Sequence, residues 1–255
     1  MNAPRLTVFQ LRYVNKAFWR NPASAFFTFA LPLMFLVIFT SLLGSGTVLL
    51  HGHEVDQSTY YVAEMAAFAV ITACFNNIAM ALTFQRDSGV LKRANGAPLP
   101  AAVYLMARVL HALLVAVLLV AITVAFGKAA YGAAVPSGGS LARFVVMLVV
   151  GAAAFCGLGA AITAVIPNFD AAAPIVNAMI LPLLFISGVF IPTDDRTASW
   201  IPSTARIFPV KHFADGMQAA YLGNPFSWTD LLIVAIWGVA GLGLAVRYFS
   251  WEPRY

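Results

Sequence analysis

The sequence predicts an all-α polytopic membrane protein: six transmembrane helices, an N-terminal interfacial helix, and short re-entrant outer helices before the last span. Three observations predict it. Of 255 residues, 61% are hydrophobic and only 10% charged, where a soluble domain carries about 25% charged. Apolar runs of about 20 residues, the length needed to cross hydrocarbon, recur along the chain. The polar segments between them are too short for a soluble domain, so residues 1–255 are expected to form one transmembrane domain.

Residues 5–20 place Leu6, Phe9, Tyr13 and Ala17 on one helical face, with Arg5, Arg12 and Lys16 stacked beside it. That pattern predicts a helix lying in the interface. Asn21-Pro22 breaks it, and residues 26–46 form the first span, with Pro32 tolerated near its start because neighbouring helices can satisfy the freed carbonyl. This run is too long for a signal-peptide core and no typical cleavage site succeeds it, so the N-terminus is expected to be retained. Residues 51–59 read as a short polar loop with acids and no Lys or Arg.

Residues 60–84 are the second span, and residues 85–97 a polar, helix-like insert after it. The third span is residues 101–126. After a loop containing Gly, Ser and Pro, the fourth is residues 143–166, with Gly151, Gly157 and Gly159 allowing close packing. A tight turn at 167–170 leads to the fifth, residues 171–191, where Pro174, Pro182 and Ser187-Gly188 predict a bend. Residues 193–229 mix aromatic and apolar residues with isolated charges and read as short helices half-sunk in the outer leaflet. Residues 230–249 are the last span, and 251–255 a stub.

Cytoplasmic segments hold the excess of Lys and Arg. With the N-terminus inside, ten of the 15 basic residues fall on that side: Arg5, Arg12, Lys16, Arg20, Arg86, Lys92, Arg93, Arg108, Arg247 and Arg254. Both termini are therefore expected in the cytoplasm of a cell with this chain in its plasma membrane. Abundant alanine, and arginine in excess of lysine, point to a GC-rich bacterial genome.

No Gly-x-x-x-x-Gly-Lys-Ser/Thr phosphate loop is present, because Gly127-Lys128 lacks the upstream glycine. Nor is there a His-Glu-x-x-His or Gly-x-Ser-x-Gly motif, and five acids, Glu54, Asp56, Asp194, Asp195 and Asp215, belong to outer loops. No enzymatic activity, metal, bound cofactor or nucleic-acid partner is expected. Ionisable residues deep in the membrane are costly and usually functional. Here they are few: Glu64 near the outer end of span two, and Arg108 and His111 sharing a face with Tyr104 in the inner part of span three. These read as an outer hydrogen bond, an orienting cation and a buried imidazole, and they form no proton relay. Cys74 and Cys156 fall in apolar runs and read as small core residues. Asn76 and Asn77 are expected to bond across helices.

The order of parts resembles the permease subunit of type-2 ATP-binding-cassette exporters, especially the small drug-resistance branch in which permease and ATPase are separate chains. The resemblance covers nearly the whole chain. It rests on the basic interfacial helix, the insert after span two, and the late segment Phe185-Ile186-Ser187-Gly188-Val189-Phe190-Ile191-Pro192 with Trp200-Ile201-Pro202, Phe208-Pro209 and Phe213-Ala214-Asp215-Gly216 after it. It implies that the insert is a coupling helix whose Arg86, Asp87, Ser88, Gly89, Leu91, Lys92 and Arg93 contact the ATPase. Relatives often begin this insert with glutamate; this chain has Gln85, so no charge contact is expected there.

The resemblance further implies that two permeases, or one and a close paralogue, pair with two ATPase subunits that hold ATP and Mg. Spans one, two and five would then face a central path. Phe35, Phe39, Phe68, Phe75, Asn76, Met179, Phe185 and Phe190 would line it, an apolar, adaptable surface suited to amphiphilic cargo. The function implied is ATP-driven efflux of drugs or other hydrophobic compounds. Export of a lipid-linked polysaccharide or another envelope lipid would use the same fold. A secondary transporter or a non-transporting assembly factor is the reading from another class.

Overall fold

The computed structural model describes residues 3–43, 46–50, 53–95, 100–192, 198 and 200–248. Six helices among them are long and apolar enough to cross a membrane. The N-terminal helix α1, Ala3–Trp19, precedes the first span α2, Pro22–Leu43. The junction is capped by Asn21, whose Oδ1 accepts the Ser24 amide at 3.2 Å.

Between spans one and two the chain forms a hairpin rather than the expected loop. Strands β1, Thr47–Leu50, and β2, His53–Asp56, pair antiparallel with Thr47 opposite Asp56. The run Thr-Val-Leu-Leu supplies the β-branched and apolar residues that suit a strand. Residues 51 and 52 of the expected loop lie outside the described residues.

Span two is one long element with a fault in its middle. Helix α3, Gln57–Ile71, passes through a π-turn, Thr72–Asn76, into α4, Asn77–Asp87. An inserted residue of this kind bulges the backbone and often marks a functional position. The bulge is seated on a glycine: a Cβ on Gly159 would meet the Phe75 carbonyl oxygen at 2.6 Å.

The insert is a turn at Ser88-Gly89 leading into α5, Val90–Asn95; residues 96–99 lie outside the described residues. Span three, α6, runs Ala101–Tyr131, past the expected end at 126. Gly127 does not stop it, and Gly132 does: at φ 69° its amide bonds the Lys128 carbonyl and the Ala133 amide bonds the Gly127 carbonyl, a Schellman closure.

Span four, α7, is Gly138–Ile162, set about one turn earlier than the expected 143–166. Span five, α8, is Phe169–Ile186 and continues through both Pro174 and Pro182. It ends before the expected 191 because Gly188, at φ 87°, turns the chain. The segment between spans five and six contributes α9, Trp200–Ala205, and α10, Pro209–Leu222, while residues 193–197 and 199 lie outside the described residues. Span six, α11, is Trp228–Tyr248, and the expected stub at 251–255 is likewise outside.

Span two is the central post. Of its apolar stretch 72% is buried, against 17–56% in the other five spans. A second close seam runs between α7 and α11. A Cβ on Gly238 would stand 2.7 Å from Ala154 Cα, and one on Gly241 2.9 Å from the Leu158 nitrogen. Small residues at such seams let backbones approach closely enough to pack in the absence of a hydrophobic driving force. Gly151 and Gly216 do the same for α10: the Phe213 ring fills the space above Gly151, and Met147 the space at Gly216.

Replacing Gly238 with Val is therefore expected to overpack the α7–α11 seam and lower stability by about 1–3 kcal/mol. Gly243, with no heavy atom within 4 Å of an added Cβ, is the control. Gly243→Ala should leave the thermal midpoint of the detergent-purified chain unchanged or slightly higher, and equal midpoints for both variants would count against the seam.

Candidate functional site

Five of the eight residues expected to line a path meet in one aromatic cluster. Phe35 and Phe39 lie one turn apart on α2, Phe68 projects from α3, and Phe185 stands at the end of α8. Phe190 is the centre. Its ring centroid is 5.5 Å from those of Phe35 and Phe39, 5.4 Å from Phe68 and 4.9 Å from Phe185.

Phe190 reaches that position because the chain turns back after α8. The turn is held by the Tyr60 hydroxyl, which donates to the Gly188 carbonyl at 2.7 Å. Tyr61 stacks on Phe39 with centroids 5.5 Å apart and extends the cluster outward. Sequence spacing is enough to find it: Tyr61 precedes Phe68 by two helical turns and so shares its face. Phe68 and Phe190 are buried, Phe35 and Phe39 half-buried, and Phe185 is 53% exposed. The cluster thus opens on the side of α2 and α8.

Phe75 and Met179 do not join it. They line a separate apolar cavity of about 300 Å³, walled also by Phe155, Leu183, Phe208 and Trp237. These two therefore line a different cavity from the five residues of the cluster. Asn76 closes the π-turn with its Oδ1 buried and without a hydrogen-bond partner, so the expected bond across helices is not made through that atom.

Outside the cluster the cap is polar. Glu64, buried in α3, accepts from Gln218 Nε2 on α10 at 2.7 Å, which supplies the expected outer hydrogen bond. No sequence pattern pairs these two, which are 154 residues apart. His212 lies 2.6 Å from Asp230 Oδ1 through Nδ1 and 2.8 Å from the Arg206 carbonyl through Nε2. Lys211 donates to Asp215 at 2.7 Å, one turn along the same helix. Desolvation nonetheless holds the Asp215 carboxyl above the usual carboxylate range. The Tyr221 hydroxyl donates to the Ala134 carbonyl at 2.6 Å, and burial pushes it up to about 12. These bonds fasten α10 to α3, to the α6–α7 loop and to the start of α11.

At the other end, the insert is stapled rather than hung. Arg86, with 2% of its side chain exposed, donates from Nη1 to the Thr163 carbonyl at 3.1 Å, from Nη2 to the Pro167 carbonyl at 2.9 Å, and from Nε to Asp87 at 3.0 Å. Asp87 Oδ2 in turn accepts the Phe169 amide at 2.6 Å, and the Phe84 and Phe169 rings meet edge to face at 5.2 Å. Gln85 accepts from the Tyr104 hydroxyl. Leu91 is fully buried.

Of the residues expected to meet a partner, Arg86 and Leu91 are turned inward and fasten the insert to the bundle. A buried guanidinium needs its donors matched, and two carbonyls and a carboxylate match them here. Ser88, Lys92 and Arg93 are exposed, with Asp87 and Gly89 half-buried.

Residues 7–222 match the family described as ABC-2 type transporter. A comparison with curated proteins gives no match. The matched region takes in α1 from Thr7 onward, the stapled insert, the aromatic cluster and the cap as far as the end of α10. It sets aside the secondary-transporter and assembly-factor readings. A six-span bundle with no phosphate loop of its own, matched over most of its length, is accounted for in one way: the chain belongs to the ABC-2 type transporter family and is the membrane-spanning permease part of an ATP-binding-cassette transporter, partnered by an ATPase subunit.

Proposed function

We propose that this permease exports amphiphilic or hydrophobic compounds of drug type, with a separate ATPase that holds ATP and Mg and a second permease copy or close paralogue across a central path. The observation that carries the reading is a mechanical line through α8. One end of this helix is bound to the insert through Phe169, and the other carries Phe185 into the aromatic cluster. Its 18 residues span about 27 Å at 1.5 Å per residue.

In this reading the ATPase docks on the exposed edge of the insert, Ser88, Lys92 and Arg93. The Arg86–Asp87 staple makes the insert, the α7–α8 turn and the start of α8 move as one rigid piece. Closure of the ATPase dimer on ATP draws two inserts together, and α8 carries the motion to Phe185 and Phe190. The cluster is apolar and adaptable, a surface that suits amphiphilic cargo better than a glycan. ATP favours export only by binding one conformation more tightly than the other. The insert, the basic α1 and both termini are cytoplasmic in this scheme, in keeping with the distribution of Lys and Arg and a plasma-membrane location.

Reversing both Lys92 and Arg93 to Glu should weaken ATPase association and stimulation while the permease stays monodisperse, since exposed charges govern encounter and register more than fold. Undiminished association in a pull-down would remove the docking assignment. Arg86→Leu is expected to leave the Thr163 and Pro167 carbonyls and Asp87 without their cation, at a cost of about 3–5 kcal/mol. Its signature is a lower thermal midpoint together with ATPase that still binds but is poorly stimulated. Phe190→Ala should empty the centre of the cluster and raise the concentration of amphiphilic substrate needed for half-maximal ATPase stimulation in proteoliposomes. Stimulation by a lipid-linked glycan instead, indifferent to Phe190, would move the cargo to the envelope-lipid class.

A further inference from the structure

Arg108 is the residue that the transport scheme leaves unused. It lies on α6 seven residues from the helix start, about 10 Å along the axis, at the end of the bundle that carries the insert. Its Nε is buried with no hydrogen-bond partner. Its contacts are with Tyr104: Nη2 is 3.5 Å from the hydroxyl and Cζ 5.6 Å from the ring centroid. That hydroxyl accepts from Nη2 and donates in turn to Gln85, so Nε is the donor left over.

No carboxylate among the described residues pairs with Arg108. The ion pairs there are Arg86–Asp87, Lys211–Asp215 and His212–Asp230. A cation at membrane depth without a counter-charge is costly and marks a site by default. Arg86, nearby in the same end of the bundle, shows how this fold treats a cation it satisfies internally.

Arg108 also lines a cavity of about 310 Å³ between α4, α6, α7 and α11. Its other walls are apolar, among them Leu82, Leu105, Val109, Ala160, Leu242 and Val246. The site is thus one guanidinium beside an otherwise oily groove within the bundle of spans. Charge complementarity calls for an acid, and the groove for a hydrocarbon chain on the same molecule. A soluble anion would leave the groove unused, and a protein carboxylate would have to enter between spans.

A second feature points the same way. Helix α1 packs on α6, with the Phe18 ring 5.2 Å from that of His111, one turn along from Arg108. It exposes Arg5, Arg12 and Lys16 beside Val8, Phe9 and Tyr13, and contains no acid. That is the composition of a helix lying on an anionic leaflet.

We propose that the groove beside Arg108 binds a membrane phospholipid with an acidic headgroup, its phosphate held by the guanidinium and one acyl chain laid along the α4–α6–α7–α11 walls. Arg suits this because its planar fork offers two parallel donors to phosphate oxygens. The site is separate from the aromatic cluster and stands whatever the cargo is.

The test is native mass spectrometry of the full chain purified in mild detergent and offered phosphatidylglycerol or phosphatidylcholine with identical chains. One phosphatidylglycerol should be retained, at least about fivefold more than phosphatidylcholine, the size of effect one surface cation gives. Arg108→Met should bring phosphatidylglycerol down to the phosphatidylcholine level, and Arg108→Lys should fall between. Ala160→Leu, which fills the groove and keeps the cation, should also lower retention. Excess glycerol phosphate, the headgroup without tails, should not displace the lipid.

Equal retention of the two lipids would overturn the proposal, as would undiminished phosphatidylglycerol on Arg108→Met. Displacement by glycerol phosphate would overturn it in favour of a soluble-anion site. Should Arg108→Met fail to fold, Ala160→Leu decides, and unchanged phosphatidylglycerol retention by that variant also overturns it.

Discussion

Helices surrounded by hydrocarbon gain little from the hydrophobic effect when they meet, so a bundle holds only where backbones come close enough to pack and to share hydrogen bonds. In this chain that constraint falls on span two. Ala63, Ala66, Ala67, Ala69, Ala73 and Ala79 are all buried along it, and their small side chains admit neighbours on every side. Helices α2, α6, α7, α8 and α10 all pack against this post or its continuation α4. The π-turn at its middle shifts the register of α4 relative to α3, and Gly159 makes room for the displaced carbonyl. Without a glycine there, α7 would be held away from the post by the Phe75 oxygen.

The same post joins the two ends of the molecule. Its first part carries Tyr60, which fixes the turn after α8, and Glu64, which holds α10. Its other end carries Arg86 and Asp87, which fix the start of α8. Span five is therefore pinned to span two at both extremities, while only 22% of its apolar stretch is buried in between. A helix fixed at its ends and loosely packed along its length is suited to pass on a displacement of one end to the other.

The spans are legible because a membrane protein writes them in composition: six apolar runs, each near the length that hydrocarbon demands. Their ends are less so. Gly127 sits at the expected end of span three and proves to be interior, because the conformation that stops a helix is the left-handed one found five residues later at Gly132. The hairpin Thr47–Asp56 hides within a segment whose charge is more conspicuous than its β-branched residues. Among site residues, helix faces and a family resemblance suffice to assemble Phe35, Phe39, Phe68, Phe185 and Phe190. Phe75 and Met179 are not separable from them in sequence, which does not reveal which side of α7 a side chain faces. Arg86 misleads for a plainer reason. A charge in a polar insert reads as exposed, and only the fold supplies the Thr163 and Pro167 carbonyls that bury it.

Two arginines at one end of the bundle receive opposite treatment, and the difference lies in what each can reach. Arg86 stands where α7 ends and its last carbonyls have no helical partner, so a guanidinium and two orphan acceptors satisfy one another. Arg108 stands two turns into a regular helix, where neighbouring backbone groups are already bonded within their own helices. The Tyr104 hydroxyl accepts from its Nη2 while donating to Gln85, and its Nε is left without a partner. Among the described residues no carboxylate completes the second cation. In the proposed site its complement comes from the medium that touches that groove, and at the border of a leaflet that medium offers phosphate on one side and hydrocarbon on the other.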